Sequence, residues 1–206
     1  MKSLIGEIDA ALGSLYDIDT TLKSADFISE QDHLKQPGAL LIRNREPQSN
    51  DIEVAIAFNS QVKSVLHTLS TDTFLSWDLN QSRAFSVAAE EISHFRYFVF
   101  HSGKDRQVSH LELEFHGEID KFLMFHLLAH NFDFVFTKLF ENFSISPVLN
   151  AEEQERYHTA NQLAREFILK NKNNFNTPQK FPDLLKDLRA LYRMSPQEKF
   201  SLKHRF

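Results

Sequence analysis

The chain has 206 residues with a formal net charge of −5, no Cys, 5 Gly and 20 Phe. That length predicts one domain that buries about 70% of its unfolded surface without staples, and the acidic balance excludes a general nucleic-acid binder. Without Cys there is no disulfide scaffold, thiolate zinc site or thiol nucleophile, and without G-x-G-x-x-G or G-x-x-x-x-G-K-[ST] the standard nucleotide folds lack their fingerprint.

Leu4, Ile5, Ile8, Ala11, Leu12 and Leu15 recur at helical spacing, so residues 3–16 read as the first helix. Glu7 and Asp9 interrupt any apolar leader, so no secretory signal is expected there. A short helical turn is expected near Ser24–Gln31, and Pro37-Gly38 is a breaker. The period then changes. Residues 39–45 and 51–58 are two extended segments, and in the second Ile52, Val54, Ile56 and Phe58 alternate with Glu53, Ala55 and Ala57. Joined by EPQSN, they form a β-hairpin that either covers the bundle or offers an edge to a partner strand. Asn59 or Ser60 caps a helix over Gln61–Leu69, and residues 70–82 read as a loop.

The strongest helical segments follow, Ala84–Ser102 and Val108–Phe143, the second with a break expected near His130–Asp133. The short GKDRQ link makes them an antiparallel hairpin. Asn150 caps a helix from Ala151 to Lys172, NKNNFNTPQ is a polar connector, Pro182 opens a helix to Met194, and Ser195-Pro196-Gln197-Glu198 is a capping box for a last short helix. Residues 180–206 carry a local charge of +4, and Lys199, Lys203 and Arg205 with His204 form a basic tail that neutralises the acidic body or meets an acidic partner. The longest apolar stretch, 122–136, contains His126, His130, Asn131 and Asp133 and is too short for a span. The expectation is a mainly α single domain over 1–206, an antiparallel bundle around a long central helical hairpin with a small N-terminal β-hairpin packed on it. It divides into the N-terminal helix and hairpin (1–60), the helical core (61–172) and the C-terminal helices (173–206), in a soluble, cytoplasmic protein.

Chemistry concentrates on the central hairpin. On a wheel of about 100° per residue, Leu111, Phe125, Ala129, Phe132, Phe136, Leu139 and Phe143 share a stripe with Glu114, Glu118 and Lys121. Glu112, His116, Asp120, His130 and Lys138 fall on the other face, read as outward. On the preceding helix Glu91 lies beside the apolar face with His94 at its rim, while Glu90 and His101 are read as outward. An antiparallel turn near residue 105 sets 91 against 119–121 and 94 against 116–118. Glu91, His94, Glu114, Glu118 and Lys121 therefore converge. A buried charge must be paired, protonated or metal-bound, so this is either an ion network around Lys121 or a metal site on Glu91, His94, Glu114 and Glu118 suited to Fe, Mn or Zn.

Glu91-Ile-Ser-His94 has the Glu-x-x-His spacing that ferritin-like di-iron bundles use. The second such pair, Glu155-Arg-Tyr-His158, projects away from its own helix's apolar stripe, and GKDRQ is too short for that fold's crossover, so the likeness stops at four residues. His126 and His130 are helix neighbours without a third ligand. The leading functional expectation is a non-enzymatic protein acting through protein partners or self-association, suggested by Leu123, Leu127 and Phe134 on the outer side of the long helix. The alternative is the carboxylate/His metalloprotein, conceivably an oxidoreductase, and a third class is an apolar-ligand carrier marked by a sizeable cavity.

Overall fold

A computed structural model describes residues 1–19, 21–30, 34–44, 51–145 and 149–201. Helix α1 (Lys2–Tyr16) buries Leu4, Ile5, Ile8, Leu12 and Leu15, the stripe its spacing requires, and ends at Asp17 in the left-handed conformation (φ 53°). A 3-10 turn at Ser24–Phe27 follows. Strands β1 (Gly38–Asn44) and β2 (Ile52–Phe58) pair antiparallel from Gly38↔Phe58 to Asn44↔Ile52. The EPQSN connection lies outside the described residues. The hairpin base is the buried end: Ile56, Ala57 and Phe58 enter the core, while Leu41, Ile42 and Ile52 stay exposed. Gly38 sits hard against the helix that carries Val87 and Glu91, since a Cβ there would lie 2.6 Å from Val87 Cγ1 and 2.9 Å from Glu91 Cγ. The breaker is therefore a close-packing point as well as a turn.

Helix α2 (Ser60–Thr68) is capped by Asn59, whose side chain accepts from Val62 N. Helix α3 (Leu79–Ser102) starts five residues before its apolar pattern does. Asp78 and Gln81 form a reciprocal capping box, 2.8 and 2.9 Å, which opens the helix over a polar first turn that periodicity alone assigns to a loop. Helix α4 (His110–Ala129) begins on a second box, Ser109 with Glu112, and ends at His130 (φ 49°), the predicted break. Beyond it lie α5 (Phe132–Phe136) and a π-turn at Thr137–Glu141. Helix α6 (Ala151–Lys170) uses Asn150 and Glu153 as its box. The polar connector contains a short helix, α7 (Lys172–Asn176), anchored by buried Phe175. Helices α8 (Phe181–Arg193) and α9 (Pro196–Ser201) close the described chain.

The protein is mainly α with an N-terminal β-hairpin, as expected. Among the described residues no helix is long and apolar enough to cross a membrane. Helix α4 is the axis. It packs on α3 and α6 along its length and touches α1 as well, and every residue from Glu114 to Phe125 is buried. A helix covered on all sides has no solvent face to carry its polar residues. This corrects the reading of Glu112, His116 and Asp120 as outward: all three are at most 1% exposed. Leu123 is likewise in the core, leaving Leu127 and Phe134 exposed on that side.

Candidate functional site

The buried polar groups of α3 and α4 form two seams on opposite sides of α4. In the seam toward α1, α8 and α9 the carboxylates are all partnered, while His116 Nδ1 and Tyr192 Oη are buried without a hydrogen bond. Asp120 accepts from Tyr16 Oη and from Ser93 Oγ (2.5 Å). Next to it, Asp9 of α1 holds Arg96 in a bidentate pair and accepts from Ser24 Oγ at 2.7 Å. Tyr97 donates to Glu112 at 2.8 Å, and Arg106 pairs with the same carboxylate. Lys199 reaches into this seam from α9, 2.5 Å from Tyr97 Oη and 2.8 Å from His116 Nε2. Lys199 therefore does not belong to an exposed basic tail: its side chain is fully covered, within reach of Tyr97, His116 and Glu112. Lys203, His204 and Arg205 lie outside the described residues. His101 is also buried rather than outward, 2.9 Å from the Tyr192 carbonyl. Burial holds the His101 ring down to about 4, with Arg106 adding to the effect.

The second seam faces α6 and the base of the hairpin, and here the expected five residues meet. His94 Nδ1 lies 3.4 Å from Glu91 Oε2, and His94 Nε2 lies 3.7 Å from Glu114 Oε2. Lys121 donates to Glu118 at 2.7 Å and to Glu90 at 3.0 Å. Glu118 spends its other oxygen on Asn161 of α6, 3.2 Å away. Arg156, also on α6, approaches Glu114 at 3.8 Å. Glu90 is the residue that wheel reasoning missed. It is half-buried, paired with Lys121, and one of a trio, Glu90, His94 and Glu114, whose ligand atoms all lie within 4.8 Å of one another. The signal available in the sequence was the i, i+4 spacing of Glu90 and His94, which stacks them on one face. Glu155 and His158 are exposed, so the second Glu-x-x-His stays apart.

Electrostatics in this seam are strained. Burial alone favours a neutral His94, but the adjacent Glu91, with Glu114 and Glu90 behind it, raises the ring to about 9. Burial lifts Glu114 to about 7 against the pull of His94. Burial also pushes Glu91 and Glu118 up, despite His94 beside the one and Lys121 beside the other. Burial acts the same way on Glu90, where Lys121 and His94 outweigh it and hold the carboxyl low. Lys121 loses to burial but gains more from Glu118 and Glu90, and stays charged.

Two further features mark the place. Glu91 Oε2, His94 Nε2, Glu114 Oε2 and Arg156 Nε are all buried without a hydrogen-bond partner. Gly117, in the middle of α4, leaves the space in front of the imidazole: a Cβ there would stand 2.9 Å from His94 Nε2 and 3.3 Å from Glu90 Cγ. A glycine inside a helix costs about 1 kcal/mol relative to Ala, so the gap is bought at a definite cost. Beside the seam opens a cleft of about 780 Å³, with Glu90, Glu91, Glu118 and Lys121 on its floor. No family model matches the sequence, and no curated protein or solved structure does so.

Proposed function

We propose that the protein binds one divalent transition-metal ion through Glu90, His94 and Glu114. The observation that carries this reading is the pair of buried atoms without a hydrogen bond, His94 Nε2 and Glu114 Oε2, facing each other at 3.7 Å across the space that Gly117 leaves open. Two donors about 2.1 Å from one ion stand about 3.4 Å apart in tetrahedral geometry and about 4.2 Å apart when opposed, so this pair is already at coordination distance. The trio is spread over at most 4.8 Å, so its widest pair closes by up to about 0.6 Å to stand opposed across an ion and by up to about 1.4 Å for a tetrahedral one. Glu90 gives one oxygen to Lys121 and keeps the other. Glu91, on the far ring nitrogen, is placed to fix the imidazole with Nε2 toward the ion, the usual role of a carboxylate behind a histidine ligand. Glu118 is saturated by Lys121 and Asn161 and serves the surrounding network. Two carboxylates and one imidazole suit Fe(II), Mn(II) or Zn(II), with open positions for water or substrate.

Elemental analysis of protein purified without chelator, followed by titration of the stripped protein with Mn(II) and Zn(II), tests the reading. One ion per chain is expected, with affinity falling at least tenfold in Glu114→Gln and in His94→Ala. Stripped protein that takes up neither ion, or variants that bind like the parent, would overturn it. Association with a protein partner or a second copy is the other reading, supported by exposed Leu127 and Phe134 at 38% and 51%. It predicts concentration-dependent sedimentation that Phe134→Ser abolishes.

A further inference from the structure

Helix α9 is six residues long, and Lys199 is its one buried residue. Phe200 is half-buried and meets Phe115 edge-on, while Gln197, Glu198 and Ser201 are exposed. The seating of α9 on the bundle therefore turns on one amine. Its Nζ lies 2.5 Å from Tyr97 Oη, 2.8 Å from His116 Nε2 and 4.6 Å from the centre of the Tyr97 ring. Two such contacts suit the two N–H groups of a neutral amine. An ammonium carries a third, and the carboxylate that faces it, Glu112 Oε1, is 3.9 Å away, beyond hydrogen-bond reach. The charges around the amine do not favour a cation either. Helix α3 faces it with Tyr97 and, one turn on, His101; α4 faces it with Glu112 and His116. Arg106 comes from the link between those helices, and Tyr192 of α8 packs edge-on behind Tyr97 and His116. Glu112 is the one carboxylate in this group. Arg106 pairs with it directly, and Tyr97 and Ser109 also donate to it. A charged Lys199 puts two cations on one buried carboxylate, which is costly, and the two imidazoles can only add positive charge.

We propose that α9 is a pH-sensitive latch: it seats with Lys199 as the neutral amine and lifts away from Tyr97 and His116 when that amine takes up a proton. Burial holds the seated amine down to about 7, with Arg106 adding to the effect against the pull of Glu112, while a solvated lysine titrates near 10.5. The lifted helix therefore binds the proton more readily than the seated one. Acidification from 10.5 to about 7 weakens seating by up to about tenfold per pH unit, and below about 7 it weakens no further. The latch stands on α9 and the groups beneath it, so the test uses chelator-stripped full-length protein and its failure leaves the metal titration unaffected. The chain has no Cys, so Ser201→Cys carries a single maleimide-linked nitroxide on the exposed face of α9, and Gln162→Cys on α6 carries the control label. Spin-label line shapes are recorded from pH 10 to pH 6. The mobile fraction at position 201 is expected to rise reversibly on acidification down to about pH 7 and then to level off, with position 162 unchanged. Lys199→Met, of similar length and without a titrating group, is expected to show no such rise, with a parent-like circular dichroism spectrum. A mobile fraction at 201 that stays flat in the parent, a parallel rise at 162, or the same rise in a folded Lys199→Met protein would each overturn the proposal.

Discussion

Gly117→Ala separates a site kept open for a ligand from a helix that merely tolerates a glycine. On propensity alone, an interior Gly→Ala change stabilises a helix by about 1 kcal/mol, which in a chain of this size raises Tm by about 2–4 °C. Gly6 in α1 supplies the control, since a Cβ there meets nothing within 4 Å. Gly6→Ala should show the full gain. At Gly117 the new methyl stands 2.9 Å from His94 Nε2, 3.3 Å from Glu90 Cγ and 3.4 Å from His94 Cδ2. The first distance is too short to persist, so the ring must retreat by some tenths of an ångström. It is 6% exposed and flanked by Glu91 and Glu114, which leaves it little room. The displaced atom is the proposed ligand atom. Comparable disturbance of the groups supporting a metal site costs about 10–100-fold in affinity. Mn(II) titration by calorimetry should therefore show at least a tenfold loss, and thermal unfolding should show Gly117→Ala falling short of the Gly6→Ala gain. A Gly117→Ala protein that gains as much stability as Gly6→Ala and binds Mn(II) as tightly as the parent would refute the reasoning.

Three further outcomes follow from the two seams. Lys121→Met leaves Glu118 and Glu90 without their shared cation and should destabilise the fold by about 3–5 kcal/mol in urea unfolding, whereas Lys121→Met with Glu118→Leu should recover much of that loss; equal losses in the two variants would show that the ion pair is not the cause. Arg96→Met strands Asp9 between α1 and α3 and should cost a similar amount, about 3–5 kcal/mol, with a cost below 1 kcal/mol counting against a tightly coupled pair. Burial holds Lys199 down to about 7, so folding releases its proton between that value and the ordinary lysine value of 10.5. The unfolded chain binds more protons across this window, so the Lys199 contribution to stability rises with pH, at most about 1.4 kcal/mol per unit. The parent should gain on Lys199→Met between pH 7 and 10 in denaturation curves, and a difference that stays flat would contradict the buried placement.

The elements that followed from sequence are those with a local physical signal. The apolar spacing of α1, the alternation in β2, the Asn59 and Asn150 caps, and the polar interruption at His130 each specify a structure within a few residues. The extra turn at the start of α3 needed the Asp78–Gln81 box to be weighed above apolar periodicity. The polar residues of α4 show the larger difference. A helical wheel assumes one buried stripe and one wet face, and on that assumption Glu112, His116 and Asp120 must be outside. Their partners, Tyr16, Tyr97 and Lys199, come from positions 104, 15 and 83 residues away in the chain. No local pattern announces such partners. Glu91, His94, Glu114, Glu118 and Lys121 were legible because they interrupt an aromatic stripe, while Glu90 was not, because a carboxylate at a stripe's edge looks the same whether it meets water or a ligand.

Both seams bury charge, and the difference between them bears on function. In the seam toward α1, every carboxylate oxygen has a partner. Asp120 uses both, on Tyr16 and Ser93; Glu112 divides its pair among Tyr97, Arg106 and Ser109; and Asp9 gives both to Arg96 and Ser24. That is how a structural network behaves, since an unmet buried acceptor costs about 1–3 kcal/mol. Across α4 the same backbone leaves Glu91 Oε2, Glu114 Oε2, His94 Nε2 and Arg156 Nε unmet within one region, and a glycine keeps the space before the imidazole clear. The incomplete seam is also the one beside the large cleft. Unmet donors and acceptors, a gap kept by glycine and access from a cleft, with two carboxylates and one imidazole around that gap, are what support the metal-ion proposal.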